Sequence, residues 1–133
     1  SIKWLGNSKR RNLHWVWDTG LIKDDELSVE QYSALIDVST AQQRRNWQSD
    51  SFLGWAKESK ILRAQVYEFG QPAQKGSITI NQNYIDRTKP LLKKRLLMAG
   101  IRLAGCLNRI FDAQGFPQLA ADKNACETSQ HLE

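Results

Sequence analysis

Histidine and cysteine are scarce in this sequence, and their scarcity narrows the chemistry first. There are two histidines, His14 and His131, and two cysteines, Cys106 and Cys126. Four-ligand zinc sites at finger or ribbon spacing are therefore excluded, as is a C-x-x-C redox pair. Glu58 and Ser59 stand side by side, but no histidine lies within local reach to activate either. They read as groups at a helix contact. No glycine-rich phosphate loop, Rossmann fingerprint or internal repeat occurs. No apolar run approaches the length that spans a bilayer. No secretory leader opens the chain either; Ser1-Ile2-Lys3-Trp4 reads as the middle of a strand, and the expectation is a chain that begins inside a domain.

What is present fits one globular domain. The chain has 133 residues, 41% hydrophobic and 25% charged, enough for one core and too few for two ordinary domains. The net charge of +5 and a pI near 9.4 suit a polyanionic partner without requiring one.

Helix signals dominate. Ile2, Trp4 and Leu5 suggest a short strand that ends at Gly6-Asn7. Ser28-Val29-Glu30-Gln31 has the form of a capping box, and Val29, Tyr32, Leu35 and Ile36 follow at helical spacing, predicting an amphipathic helix over 28–39. Residues 40–49 are polar apart from Trp47, which reads as a packing anchor on a short helix or turn. Asp50 or Ser51 caps a helix with Phe52, Trp55, Ala56, Ser59, Leu62 and Val66 on one side. Residues 70–76 form a loop, and 77–80 an extended lead-in or scrap of strand. Asn81 then caps the longest helix, with a stripe of Tyr84, Ile85, Leu92, Leu96, Ala99, Leu103, Leu107 and Ile110. Leu96, Leu103 and Leu107 are expected to be buried. Pro90 should kink or divide this helix near Thr88-Lys89. Gly100, among Ala99, Ala104 and Gly105, predicts close approach of another helix. The expected fold is mainly α-helical, with at most a small N-terminal hairpin or strand.

One stretch carries chemistry: Asn12-Leu13-His14-Trp15-Val16-Trp17-Asp18-Thr19-Gly20-Leu21-Ile22. Asn12 is a natural N-cap and Gly20 a natural stop. On a helix of about two turns, His14 and Asp18 project from one face, where an imidazole and a carboxylate can share a metal ion. The same pair also fits an exposed i, i+4 contact worth about 0.2–0.5 kcal/mol. Lys9-Arg10-Arg11 lies immediately before it, either as a solvated loop or as a basic patch that draws in phosphate. Other carboxylates, Asp24, Asp25, Asp86 and Asp112, have no histidine nearby. A catalytic zinc typically takes three protein ligands plus water, so this chain alone cannot complete such a site.

The wording Asn-Leu-His-x-Val-Trp-Asp-x-Gly-Leu-Ile resembles the last metal-ligand motif of the zinc-dependent single-strand-specific nucleases and 3′-nucleotidases, whose fold is similar to zinc-dependent phospholipase C. Two further blocks resemble the family in the same order: Trp55-Ala56-x-Glu58-Ser59 with Val66-Tyr67, and Pro90 with Ala99-Gly100-x-Arg102-Leu103-Ala104-x-x-Leu107-Asn108. The resemblance implies the C-terminal half of one such domain over 1–112, with an irregular tail over 113–133 that ends in Leu132-Glu133, similar to a cloning scar. It implies zinc, three ions in the whole enzyme, with His14 and Asp18 as ligands to one of them. The remaining ligands, the water-activating groups and the main base-stacking pocket would belong to the N-terminal half, here a partner. It implies single-stranded DNA, RNA or 3′-nucleotides as substrates and a secreted or periplasmic enzyme; Lys9, Arg10 and Arg11 are candidate substrate-binding residues only through their place beside the His14 segment. Family members commonly carry Thr where Arg11 stands, so the role of the triplet is not inherited. Export would also permit a Cys106–Cys126 disulfide, a buried free Cys106 being the other reading. Two other classes stay open: a basic, tryptophan-rich nucleic-acid-binding module without catalysis, and a phospholipase-like lipid hydrolase.

Overall fold

A computed structural model describes residues 2–5, 9–70, 72–73 and 76–111 of the chain. Three short strands make one small sheet: β1 (Ile2–Trp4), β2 (Arg10–Arg11) and β3 (Ile78–Ile80), in the order β2-β1-β3. β1 and β2 form the expected hairpin, with Ile2 opposite Arg11 and Lys3 opposite Arg10. The extended segment before the long helix proves to be the third strand. It runs parallel to β1, Ile2 beside Ile78 and Trp4 beside Ile80. Nothing local announces that pairing, because a parallel partner needs a long crossover.

Between those strands run α1 (Leu13–Trp15), a π-helical turn (Val16–Gly20) and α2 (Leu21–Lys23), then α3 (Val29–Ile36), α4 (Ala41–Ser49) and α5 (Phe52–Tyr67); α6 (Gln82–Phe111) closes the described chain. The fold is mainly α. Each longer helix begins where a side chain takes up an otherwise orphaned N–H. Ser28 and Gln31 form the reciprocal capping box, and Thr40 and Gln43 form a second one. Ser51, not Asp50, caps α5 by accepting from Gly54 N–H, and Asn81 accepts from Tyr84 N–H at the start of α6.

The core gathers at the N-terminal end of α6. Ile2, Val16, Leu21, Ile80, Tyr84, Ile85 and Leu92 are buried together, with Trp4, Leu13, Trp15, Trp17, Ile22 and Phe69 packed around them. The sheet, the His14 segment and the first turns of α6 therefore share one hydrophobic centre.

The C-terminal half of α6 departs from expectation. Leu96, Leu103 and Leu107 are exposed, Leu103 at 59%, and the buried residues there are Met98 and Arg102. The physical reason is polar. Arg102 is drawn inward, donating from Nε to the Trp47 carbonyl at 3.1 Å and pairing with Glu58 at 2.7 Å, while its guanidinium lies 4.8 Å from the Trp55 ring centre. Arg95 reaches the same Glu58 oxygen at 2.9 Å and donates to Ser59 Oγ. Glu58 and Ser59 thus bind α5 to α6, and the leucine stripe is turned outward. Two further points concern α6. Of the two outcomes expected at Pro90, division does not occur, since α6 runs on through it; its N-terminal part is pinned by Lys89, which pairs with Asp24 and Asp25 just after α2. Among the described residues no atom approaches a Cβ position at Gly100 within 4 Å, and the close contact falls at Gly105, where the Gln48 side chain crosses to donate to the Ile101 carbonyl.

Burial therefore ranks two apolar truncations. Ile85→Ala should cost about 2–5 kcal/mol in denaturant unfolding of the 133-residue chain, the range for a buried aliphatic side chain, and Leu103→Ala less than about 1 kcal/mol. Equal effects would contradict this core.

Glu58 also predicts a pH dependence. Burial pushes its carboxyl up, but the hydrogen bonds from Arg102 and Arg95 together outweigh it and hold the group below its ordinary value of 4.5. A carboxylate depressed on folding stabilises above its unfolded pKa, and that contribution is lost as pH falls through the folded value. Glu58→Gln should therefore flatten the loss of stability below about pH 4.5. Parallel stability curves for the two proteins below that pH would refute the assignment.

Candidate metal centre

Asn12 sets the entry to the site. Its backbone is extended (φ −108°, ψ 169°) and its Oδ1 accepts from Trp15 N–H at 2.8 Å. The segment is helical as expected, but its middle is a π turn in which Leu21 N–H bonds back to the Val16 carbonyl, five residues earlier. Such one-turn π segments are rare and recur at functional sites. Here the wider turn sends Val16, Gly20 and Leu21 into the core while His14 and Asp18 stay outside.

Gly20 was expected to stop the helix and does not. Its φ and ψ are helical, −59° and −57°, and Asp24 N–H bonds its carbonyl at 3.1 Å. A Cβ there would stand 3.0 Å from the rings of both Trp4 and Trp15, which meet edge to face at 5.8 Å. Close approach of two indoles is the reason for glycine at this position.

His14 and Asp18 share a face. Nε2 and Oδ2 are 2.8 Å apart, and the side chains are 81% and 57% exposed. Two donors at about 2.0–2.2 Å from one tetrahedral ion stand roughly 3.3 Å apart, so a small rotation of exposed side chains lets both ligate. The donor set fits zinc. Among the described residues no group of three or more His, Cys, Asp or Glu side chains gathers for a metal, so the pair offers two donors and not a complete site.

The other carboxylates are occupied or fall elsewhere. Asp24 and Asp25 hold Lys89, Asp25 also meets Lys93 at 2.9 Å, and Asp86 accepts from Gln82. Asp112, Cys126 and His131 lie outside the described residues, so the Cys106–Cys126 pairing does too.

The register separates the basic triplet. Arg11 is half-buried with its guanidinium 4.3 Å from the Trp15 ring centre, whereas Lys9 and Arg10 are exposed. Sequence reasoning overlooked the support beneath the pair. Trp17 Nε1 donates to the Tyr84 hydroxyl at 3.1 Å, and that hydroxyl donates to the Val66 carbonyl at 2.8 Å. The only trace of it in sequence was the placing of Tyr84 on an apolar stripe.

A family model described as S1/P1 Nuclease matches residues 1–112. The chain belongs to that family. It is 32% identical to Endonuclease 5 of Arabidopsis thaliana over 137 residues, which cover 90% of this chain and 43% of that protein. Endonuclease 4 of the same plant is 28% identical over 86% of the chain and 42% of its own length, and Endonuclease 1 is 25% identical over 83% and 39%. The chain thus spans about two fifths of the length of these relatives. No solved structure matches it.

Gly20→Ala tests the local architecture. The added methyl must displace packed indoles, and overpacking of this kind costs about 1–3 kcal/mol. Unfolding in urea should register that loss, and a change under about 0.5 kcal/mol would mean the indoles do not constrain the turn.

Proposed function

We propose that the chain supplies His14 and Asp18 as two ligands to one zinc of a three-zinc site in an enzyme that hydrolyses phosphodiester bonds of single-stranded DNA and RNA, or releases phosphate from 3′-nucleotides. The observation that carries this reading is the exposed His14–Asp18 pair at 2.8 Å, raised on a π turn, in a chain of the S1/P1 nuclease family. Zinc would supply a Lewis acid for the phosphate and a low-pKa water. This chain's part is to fix the two donors: Asn12 caps their helix, the Trp4–Trp15 contact braces it, and Tyr84 ties it to α6.

The third ligand and the groups that activate water belong, in this reading, to the half of the polypeptide that precedes residue 1, so that 1–112 is part of one domain and 113–133 a tail. Two observations support that partner: no third ligand gathers among the described residues, and the α6 face of Leu103, Leu107 and Ile110 lies open. The same reading places the enzyme outside the cytoplasm, secreted or periplasmic. Among the described residues no helix is long and apolar enough to cross a membrane.

In the full-length enzyme, His14→Ala should lose zinc, measured per chain by elemental analysis, and should abolish release of acid-soluble nucleotides from denatured DNA. The 133-residue chain alone should be inactive and regain activity when the preceding half is supplied. A full-length His14→Ala variant with parental zinc and turnover would falsify the assignment.

A further inference from the structure

The small sheet has two chemically different faces. Ile2 and Ile80 are buried, Trp4 packs beside them, and Arg11, opposite Ile2, lies over Trp15. The residues between them point the other way, since successive side chains on a strand alternate and directly opposed residues share a face. That outer face carries Thr79, Lys3 and Arg10 in one row across the three strands, roughly 5 Å apart from strand to strand.

The pairing of Lys3 with Arg10 is unfavourable in isolation. Like charges directly opposite each other destabilise a strand pair. Several cations on α6 have their repulsion relieved: Lys89 and Lys93 by Asp25, Arg95 and Arg102 by Glu58, Arg87 by Glu68. Lys3 and Arg10 are exposed, and among the described residues neither has a carboxylate within ion-pair distance. Arg10 precedes His14 by four residues, a backbone path of no more than about 14 Å. The same polyanion can therefore reach both.

We propose that the outer face of this sheet, through Lys3 and Arg10 with the Thr79 row beside them, is a binding subsite for the sugar-phosphate backbone of a single nucleic-acid strand, outside the scissile phosphate. Arg11 is not part of it; stacked on Trp15 on the inner face, it is a positioning residue for the His14 turn. Phosphate contacts of this type come from Lys, Arg and hydroxyl side chains and hold a strand without reading its sequence. The proposal rests on the nuclease reading for its ligand, though not on cleavage for its test.

The test uses the zinc-loaded full-length enzyme, its Lys3→Gln/Arg10→Gln variant, and a Lys57→Gln/Lys60→Gln control that removes the same charge from the exposed side of α5. Binding of a cleavage-resistant phosphorothioate oligothymidylate of about twenty nucleotides is followed by fluorescence anisotropy across salt concentrations. Each lost phosphate contact on a single strand lowers the salt slope by about 0.7, so the sheet variant should lose about 1.4 and bind roughly tenfold more weakly at ~0.15 M salt. In turnover, its preference for a long strand over a dinucleotide, read as the ratio of kcat/KM values, should fall by a similar factor. The control should keep both. An unchanged slope in the sheet variant, or an equal loss in the control, overturns the subsite. A parental enzyme that binds the strand with the expected slope but cleaves no substrate counts against the nuclease reading instead.

Discussion

The Tyr84 hydroxyl joins three segments that are far apart in the chain. It accepts from Trp17 in the site helix, donates to the Val66 carbonyl at the end of α5, and belongs to the first turn of α6. Burial pushes this phenol up from its ordinary pKa, with the Trp17 hydrogen bond pulling the other way, so it stays protonated and able to donate at neutral pH. Its ring stacks on Phe69 at 5.6 Å, next to the buried Ile85 and Ile80. The His14–Asp18 pair is thus held by a helix whose inner face is fixed by hydrogen bonding and packing, while its outer face is left to solvent.

That division suits a site that must bind an ion. Exposed donors can rotate the few tenths of an ångström that coordination would ask for, while the backbone beneath them is tied by the Asn12 cap, the Trp4–Trp15 contact and the Trp17–Tyr84 hydrogen bond. The π turn serves both ends: it places Val16, Gly20 and Leu21 inside without taking His14 and Asp18 off their common face. Charge is divided in a similar way. On α6 most of the half-buried cations are spent on carboxylates of α2 and α5, which lock the helices. At the hairpin Lys3 and Arg10 face solvent instead, while Arg11 turns inward over Trp15.

Much of this was legible in the sequence because it is local. The capping residues Ser28, Ser51 and Asn81 announce their helices through hydrogen bonds that span three residues. The His14–Asp18 pair was legible for the same reason, since i and i+4 are neighbours on any helical turn. Gly20 was misread because a glycine that ends a helix and one that admits two indoles look alike in one dimension. The leucines of α6 were misread because apolar periodicity says that a stripe seeks cover, not that the cover lies within this chain. Buried Arg102 was invisible to hydropathy, its burial depending on Glu58 and the Trp47 carbonyl.

The sequence by itself determined most of the helices and the shared face of His14 and Asp18, since helix caps, turns and four-residue spacings are short-range interactions that each segment carries with it. It determined the family as well, through ordered motifs. Only the tertiary structure decided that 78–80 pairs with 2–4, that Arg10 and Arg11 fall on opposite faces, and that Tyr84 supports Trp17. Those outcomes turn on contacts between residues far apart in the chain. Their geometry exists only once the chain has closed on its core, and no local pattern encodes which distant partner will be there.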